Sequence, residues 1–271
     1  MYLLYITWNP DSMIIDLGFF AIRWYSLLFG LGFVLAYFIL KHQFKREHVE
    51  IEKLDKLTIY VALATFIGAR LGHVLFYDFD YYSRHIAEIF LPFSFDPEFR
   101  FTGFQGLASH GAAIGILIAL LLFSRKYKLS LFWLLDKLAL VVPLAGALIR
   151  LGNLMNSEII GKPATVEWAF VFVKVDRIPR HPTQLYEAIA YLIIFCILLL
   201  ANRRSNMRAG RIFGLFLILL FSVRFFLEFL KADQSDFEAG MILNMGQILS
   251  IPFIVAGAVI IAKSSKAKRL E

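Results

Sequence analysis

Residues 146–163, GALIRLGNLMNSEIIGKP, end a run of apolar residues with Arg150, Asn153, Asn156 and Glu158 ahead of Gly161. No acidic residue stands within a helical turn before Arg150, and charges placed inside a membrane usually face a cavity and a partner. Arg224 sits about a turn and a half inside its own apolar run, where an arginine costs up to ~3 kcal/mol to insert. Glu228, four residues on, offers it a simple helical ion pair. Gln184, Tyr186 and Glu187 open another apolar run, and Tyr25 and His110 begin two more. Plainer roles exist for several of these. Asn153 and Asn156 can close a helix end with Gly152, Gly161 can be a turn glycine, Arg23 can snorkel, and His110 can be a hydrogen-bonded packing residue. Gly68 with Gly72, and Gly111 with Gly115, have helix-packing spacing. Other chemistry is excluded. Ser109 and the adjacent His110 point to different helix faces and no G-x-S-x-G is present, so a hydrolase dyad is not expected. The six histidines show neither H-x-x-x-H nor H-E-x-x-H, which leaves no sequence case for a metal. The single cysteine, Cys196, rules out an internal disulfide, and in the apolar middle of its run it reads as a packing residue.

These residues must be positioned by a membrane-spanning bundle. Of 271 residues, 59% are hydrophobic, 28 are phenylalanine and only 18% are charged, more apolar surface than a soluble core can hide. Apolar runs recur at about 19–40, 57–77, 106–124, 131–152, 184–201, 212–230 and 245–262, each near the roughly 20 residues that cross about 30 Å of hydrocarbon. We therefore expect an all-α integral membrane protein of seven transmembrane helices, forming a single domain over residues 1–271. Outer-face arm and loop segments are expected at about 78–105 and 153–183. MYLLYITWNPDS carries no basic residue and the following run has no small-residue cleavage site, so that run is expected to be a retained helix and not a signal peptide.

Basic residues set the orientation, because cytoplasmic loops keep positive charge. One set holds Lys41, Lys45, Arg46, Lys53 and Lys56, then Arg125, Lys126 and Lys128, then Arg203, Arg204, Arg208 and Arg211, and last Lys263, Lys266, Lys268 and Arg269. This predicts the N-terminus outside and the C-terminus cytoplasmic. The asymmetry, with attraction to anionic membrane lipids, accounts for the net charge of +7, and no nucleic-acid partner is implied. Every predicted helix is then polar at its outer end and apolar within, apart from Asp136 and Lys137. A channel or transporter needs polar groups through the midplane. A polar dead end open to one side suits an enzyme acting on a lipid and an exported molecule, whereas a scaffold would pair its polar residues for packing alone.

Residues 149–161, IRLGNLMNSEIIG, are similar to the signature of the prolipoprotein diacylglyceryl transferase family, in which arginine is followed by Gly-Asn, then Asn, Glu and Gly at these spacings. IRWYSLLFG at 22–30, GLASHGAAIG at 106–115, HPTQLYEA at 181–188 and MGQILSIP at 245–252 resemble that family's other blocks, in order and across nearly the whole chain. Ile149, Leu154, Ala112 and Leu220 stand where the family more often has glycine, phenylalanine, glycine and tyrosine. The resemblance implies transfer of the diacylglyceryl group of phosphatidylglycerol to the lipobox cysteine of a prolipoprotein signal peptide, with glycerol phosphate leaving. This first step of bacterial lipoprotein maturation would occur at the outer leaflet of the bacterial cytoplasmic (inner) membrane, with no cofactor or metal. A thioether forms by displacement at carbon, so the phosphate and its departing charge must be held, a task that suits forked guanidinium groups. Arg150 is the expected main phosphate ligand and Arg224 a second one or an electrostatic gate, with Asn153 and Asn156 donating to the headgroup and Glu158 and Gly161 shaping the adjoining loop. Gln184, Tyr186, Glu187 and Glu228 complete the expected substrate-binding set. His110 is the candidate base for the thiol, and Tyr25 can hydrogen-bond lipid or histidine. The alternative is an outer-leaflet module that binds or transports anionic lipid.

Overall fold

The computed structural model describes residues 5–16, 21–94, 99–101, 106–203, 208–232 and 240–264. Arg204, Lys266, Lys268 and Arg269 of the basic set lie outside the described residues, as do parts of the expected outer loops at 95–98 and 102–105. In chain order the elements begin with strands β1 (Ile6–Trp8), β2 (Met13–Asp16) and β3 (Ala21–Arg23), followed by helices α1 (Trp24–Arg46), α2 (Ile51–Phe76), α3 (Phe79–Tyr82) and α4 (Ala87–Phe90). Strands β4 (Phe93–Ser94) and β5 (Arg100–Phe101) precede helices α5 (Ser109–Tyr127) and α6 (Leu131–Asn156). Strands β6 (Phe170–Phe172) and β7 (Pro179–Arg180), helices α7 (Thr183–Asn202) and α8 (Arg211–Leu227), a 3-10 turn (Glu228–Leu230) and α9 (Met245–Lys263) complete the order.

Seven helices among the described residues are long and apolar enough to cross a membrane, namely α1, α2, α5, α6, α7, α8 and α9. Their ends correct the apolar runs. Helix α1 begins at Trp24, because residues 21–23 form a strand, and it continues through Lys41, Lys45 and Arg46; α2 already includes Lys53 and Lys56. Backbone hydrogen bonding persists where side chains leave the hydrocarbon, so charge marks the end of the apolar run and not the end of the helix. Likewise Asn153 and Asn156 lie on α6 instead of ending it at residue 152. The expected helical fold is observed, and among the described residues the helices are accompanied by three small sheets, ordered β1-β6-β7, β2-β3 and β4-β5.

The chain divides into two compact units, one made of Met1–Leu40 with Leu135–Glu271 and the other of Lys41–Leu134. In the second unit α2 and α5 meet backbone to backbone. A methyl group on Gly68 would lie 2.5 Å from the Gly111 carbonyl oxygen, and one on Gly115 would lie 2.6 Å from that of Ala64. The glycines at four-residue spacing are therefore packing positions, as expected. Buried Arg70 fastens the following loop by donating to the Glu88 and Ile89 carbonyls at 2.7 and 2.9 Å, with its guanidinium 4.6 Å from the Tyr82 ring centroid.

In the first unit β1 pairs in parallel with β6, matching Ile6 to Phe170 and Trp8 to Phe172. Trp8 also donates its indole N–H to the Leu154 carbonyl at 2.8 Å and packs on Leu154, Phe170 and Phe172. This pins the last turns of α6 beneath a small apolar cluster. At the other end of α6, Asp136 accepts from the backbone N–H of Gly210 (2.7 Å) and Phe213 (2.8 Å). Gly210, at φ 85°, has no side chain to cap the start of α8, and Asp136 supplies that cap from another helix. Cys196 is exposed on α7, so the packing role expected for it is not observed.

Candidate functional site

Three residues on one stripe of α7, spaced by three and four, project from the end of the helix that carries the HPTQLYEA block: Gln184, Glu187 and Tyr191, all buried. Opposite them stands Arg150 on α6. Its Nε lies 2.7 Å from Glu187 Oε2, and the Tyr191 hydroxyl lies beside the same guanidinium. Arg150 therefore has an acidic partner, 37 residues away in sequence. Glu187 is fully buried, and its second oxygen lies 2.8 Å from Lys231 Nζ.

A hydrogen-bonded chain continues from Arg150 along the signature. Arg150 Nη1 donates to Asn153 Oδ1 at 3.2 Å, Asn153 Nδ2 to Glu158 Oε2 at 3.0 Å, and Asn156 Nδ2 to Glu158 Oε1 at 3.1 Å. Because guanidinium only donates and carboxylate only accepts, the Asn153 amide can face just one way. The two asparagines thus hold Glu158, and each retains a second amide hydrogen. Of the five N–H donors on Arg150, one meets Asn153 in hydrogen-bond geometry and another is engaged by the Tyr191 hydroxyl, while Glu187 stands at ion-pair distance.

The backbone around Glu158 is bent to make this possible. Ser157 and Ile159 adopt φ 57° and 56°, a region that a β-branched residue such as Ile159 enters only when its surroundings compel it. Thr183 and Gln184, both fully buried, brace the turn from α7 by donating to the carbonyls of Ile159 and Glu158. The chain then runs between two neighbours, with Gly161 N–H donating to the His181 carbonyl (3.0 Å), Lys162 N–H to Leu230 (2.8 Å) and Ala232 N–H to Ile160 (3.2 Å). Gly161 is thus a close-approach glycine and not a turn glycine. A methyl group there would come within 2.5 Å of the His181 oxygen and 2.9 Å of the Leu230 oxygen.

Tyr25 joins the same group from the first turn of α1. Its ring lies against Gly152, where a methyl group would approach Tyr25 Cδ2 to 2.9 Å, and Glu158 and Arg150 both act on its hydroxyl. Glu228 is paired with Lys231 at 3.1 Å, so the helical pair expected for Arg224 does not form. Arg224 makes no ion pair among the described residues, and it lies within electrostatic reach of Tyr191, as Arg150 does. Tyr186 turns away to accept from the Trp168 indole (2.8 Å) and meet His181 Nδ1 (3.2 Å). Asn244 and Gln247 form a capping box at the start of α9.

His110 belongs to the other unit. It is the second residue of α5, exposed, with its ring edge-on to Phe76 at 5.3 Å and tilted against Tyr77 at 5.7 Å. Neighbouring His73 meets Asp78 at 2.8 Å. Among the described residues no cluster of histidine, cysteine, aspartate and glutamate is arranged to hold a metal ion. Sequence reasoning missed Lys231, which stands in a short polar stretch between two apolar runs. Its place three residues after Glu228 was the available signal.

Residues 12–263 match the family model described as prolipoprotein diacylglyceryl transferase. Among similar proteins is the phosphatidylglycerol–prolipoprotein diacylglyceryl transferase of Bacteroides fragilis, 48% identical over 94% of each chain. Those of Tolumonas auensis (43% identical, 96% of this chain and 98% of the relative) and Chloroherpeton thalassium (42%, 98% and 97%) bear the same name.

Proposed function

The chain belongs to the prolipoprotein diacylglyceryl transferase family, and from that premise we propose how its residues carry the transfer of a diacylglyceryl group from phosphatidylglycerol to a prolipoprotein. The reaction joins the sulfur of the lipobox cysteine to the glyceryl carbon that bears the phosphate. A C–S bond forms, the C–O bond to phosphate breaks, the electron pair leaves with glycerol phosphate, and the thiol proton passes to a base. The protein must bind an anion and hold the charge that grows on it. Arg150 binds that phosphate, with Glu187, Asn153 and Tyr191 fixing its fork and the donors they leave turned to the lipid. The observation that carries this reading is that Arg150 is only partly satisfied by protein acceptors while Arg224, near the same Tyr191, is without an ion pair among the described residues. Two guanidinium groups, of which only Arg150 is paired with a carboxylate among the described residues, leave positive charge for a phosphate.

Asn153, Asn156 and Glu158 form the headgroup rim, Gly161 and Gln184 hold its loop, and Tyr25 closes it. Glu228 acts through Lys231, and Tyr186 holds the loop that carries Trp168. His110 takes the thiol proton, imidazole being a side chain able to serve as a general base. The basic residues at the ends of α1 and α5 and the start of α2 support an outward-facing site in the bacterial cytoplasmic membrane, reached by phosphatidylglycerol from the outer leaflet and by the signal peptide beside it.

The test uses liposomes containing labelled phosphatidylglycerol. The protein attaches label to a lipobox peptide without added metal or nucleotide, and a serine in place of the cysteine receives none, because a hydroxyl is far harder to ionise. His110→Gln loses most transfer near neutral pH, keeps lipid binding, and regains part of the rate at higher pH as the thiol ionises unaided. Loss of lipid binding in that variant would make His110 a headgroup ligand. Binding of lipid and peptide without any transfer would reject the reading.

A further inference from the structure

Lys231 lies outside every sequence block singled out above. Its side chain is 3% exposed, and its Nζ stands 2.8 Å from Glu187 Oε1 and 3.1 Å from Glu228 Oε2. Its backbone bridges to Gly161 in antiparallel fashion, so the ribbon that holds the signature loop also places this lysine. Glu187 is consequently shared between Lys231 on one oxygen and Arg150 on the other, and neither oxygen has a partner in hydrogen-bond geometry. A carboxylate held by charge alone from two sides stays between them. With one cation removed, it is free to turn wholly onto the other. Glu228, the second anion on Lys231, lies over the first turn of α9, where a methyl group on Gly246 would meet its carboxylate carbon at 2.6 Å. The partial positive charge of a helix N-terminus favours an anion there. Charges therefore alternate from α9 through Glu228, Lys231 and Glu187 to Arg150.

We propose that Lys231 is a positioning residue that keeps Glu187 from closing a bidentate pair on Arg150, and so keeps the guanidinium open to the lipid phosphate. This rests on the reading of Arg150 as the phosphate ligand. Carboxylate and phosphate compete for the same fork, since both offer paired oxygens that fit it. In the group formed by Arg150, Lys231, Glu187 and Glu228 two positive charges balance two negative ones. Without Lys231 the balance is one negative, which repels an anionic headgroup, and burial strengthens that repulsion.

The experiment measures KM and kcat for phosphatidylglycerol with the purified full chain in mixed micelles, together with direct lipid binding and the thermal unfolding midpoint. Lys231→Met raises the lipid KM at least tenfold with a smaller change in kcat, and Lys231→Arg restores it. The decisive variant combines Lys231→Met with Glu187→Gln. Glutamine keeps an acceptor for Arg150 Nε but removes the competing charge, so the double variant binds lipid at least tenfold better than Lys231→Met alone. A packing role for Lys231 predicts a double variant no better than the single. A lipid KM unchanged in Lys231→Met, or no recovery in the double variant, overturns the proposal. Should Lys231→Met not fold, the double variant decides by itself, with a KM within threefold of the unmodified protein expected and a tenfold rise contrary. Arg150→Ala separates the two levels of argument. If it keeps lipid binding, the phosphate reading fails; if it loses binding while Lys231→Met does not, only the role of Lys231 fails.

Discussion

Gly161→Ala tests the geometry of the signature loop through a single methyl group. That methyl would sit 2.5 Å from the His181 carbonyl oxygen, against an ordinary contact of 3.4 Å or more, so the backbone must yield by about 0.9 Å. The crowding atoms are the His181 and Leu230 carbonyl oxygens and the His181 Cβ, none of which can rotate aside as the far end of a side chain would. Overpacking of this kind costs about 1–3 kcal/mol, and each ribbon hydrogen bond lost adds about 1 kcal/mol. We expect a destabilisation of about 2–4 kcal/mol. The same displacement moves Lys231 and Glu158 away from their partners, and a misplacement near 1 Å in a positioned site costs on the order of 100-fold in rate. Gly30→Ala is the control: nothing lies within 4 Å of its added methyl, and in the interior of α1 alanine is better than glycine by about 0.5–1 kcal/mol. Thermal unfolding in detergent and lipid transfer to a lipobox peptide are measured for both. A Gly161→Ala protein with unmodified midpoint and rate, or equal damage from Gly30→Ala, would refute the close-approach argument.

Arg150→Lys keeps the charge and loses the fork, so transfer should fall at least tenfold, a barrier increase of about 1.4 kcal/mol or more, with membrane insertion unchanged; near-normal activity would reduce Arg150 to a residue reaching for headgroups. Topology reporters fused after residue 48 and in 203–208 should read cytoplasmic, and those in 84–100 and 162–180 should read outside; the reverse in 162–180 would invert the proposed orientation. The Asp176 carboxyl, bonded by Arg180 at 2.6 and 3.0 Å and by Ile178 N–H at 3.0 Å, is held below the usual aspartate range. With the folded value below the unfolded one, its stabilisation is whole above about pH 4 and fades as pH falls through the folded value. For a half-buried surface pair of this kind it amounts to less than about 1 kcal/mol, and corrected hydrogen exchange in 173–178 should quicken at pH 3; unchanged protection would remove the pair from the account.

The helices were legible because lipid demands a long apolar run, and each of the seven leaves one in the sequence. Their ends were less so, as Lys41, Lys45 and Arg46 of α1 illustrate: hydropathy reports the side chains, whereas the helix is a property of the backbone. The pairing of β1 with β6 joins residues about 160 positions apart through strands of three residues, too short to carry a period. At the site, residue types were readable and partners were not. Arg150 and Arg224 stood out by cost, but the carboxylate that Arg150 meets belongs to α7, and Glu228, which looked like the helical partner of Arg224, is taken by Lys231. Gly161 looked like a turn because sequence shows a glycine without showing what passes beside it.

The cap that Asp136 places on α8 also acts as a shared origin for two rulers. Fourteen residues separate Asp136 from Arg150 along α6, and fourteen separate Gly210 from Arg224 along α8. At 1.5 Å per residue each count measures roughly 21 Å. Because α6 and α8 are alternate spans and so run the same way, equal lengths from a common mark bring both guanidinium groups to one level, where Tyr191 stands near each. One residue inserted between Phe213 and Arg224 would lift the second arginine about 1.5 Å and swing it about 100° around its axis, leaving Arg150 where it was. On the proposed role of the two arginines, the depth at which this protein meets a phosphate would be gauged from the opposite end of the helices, by the carboxylate of Asp136.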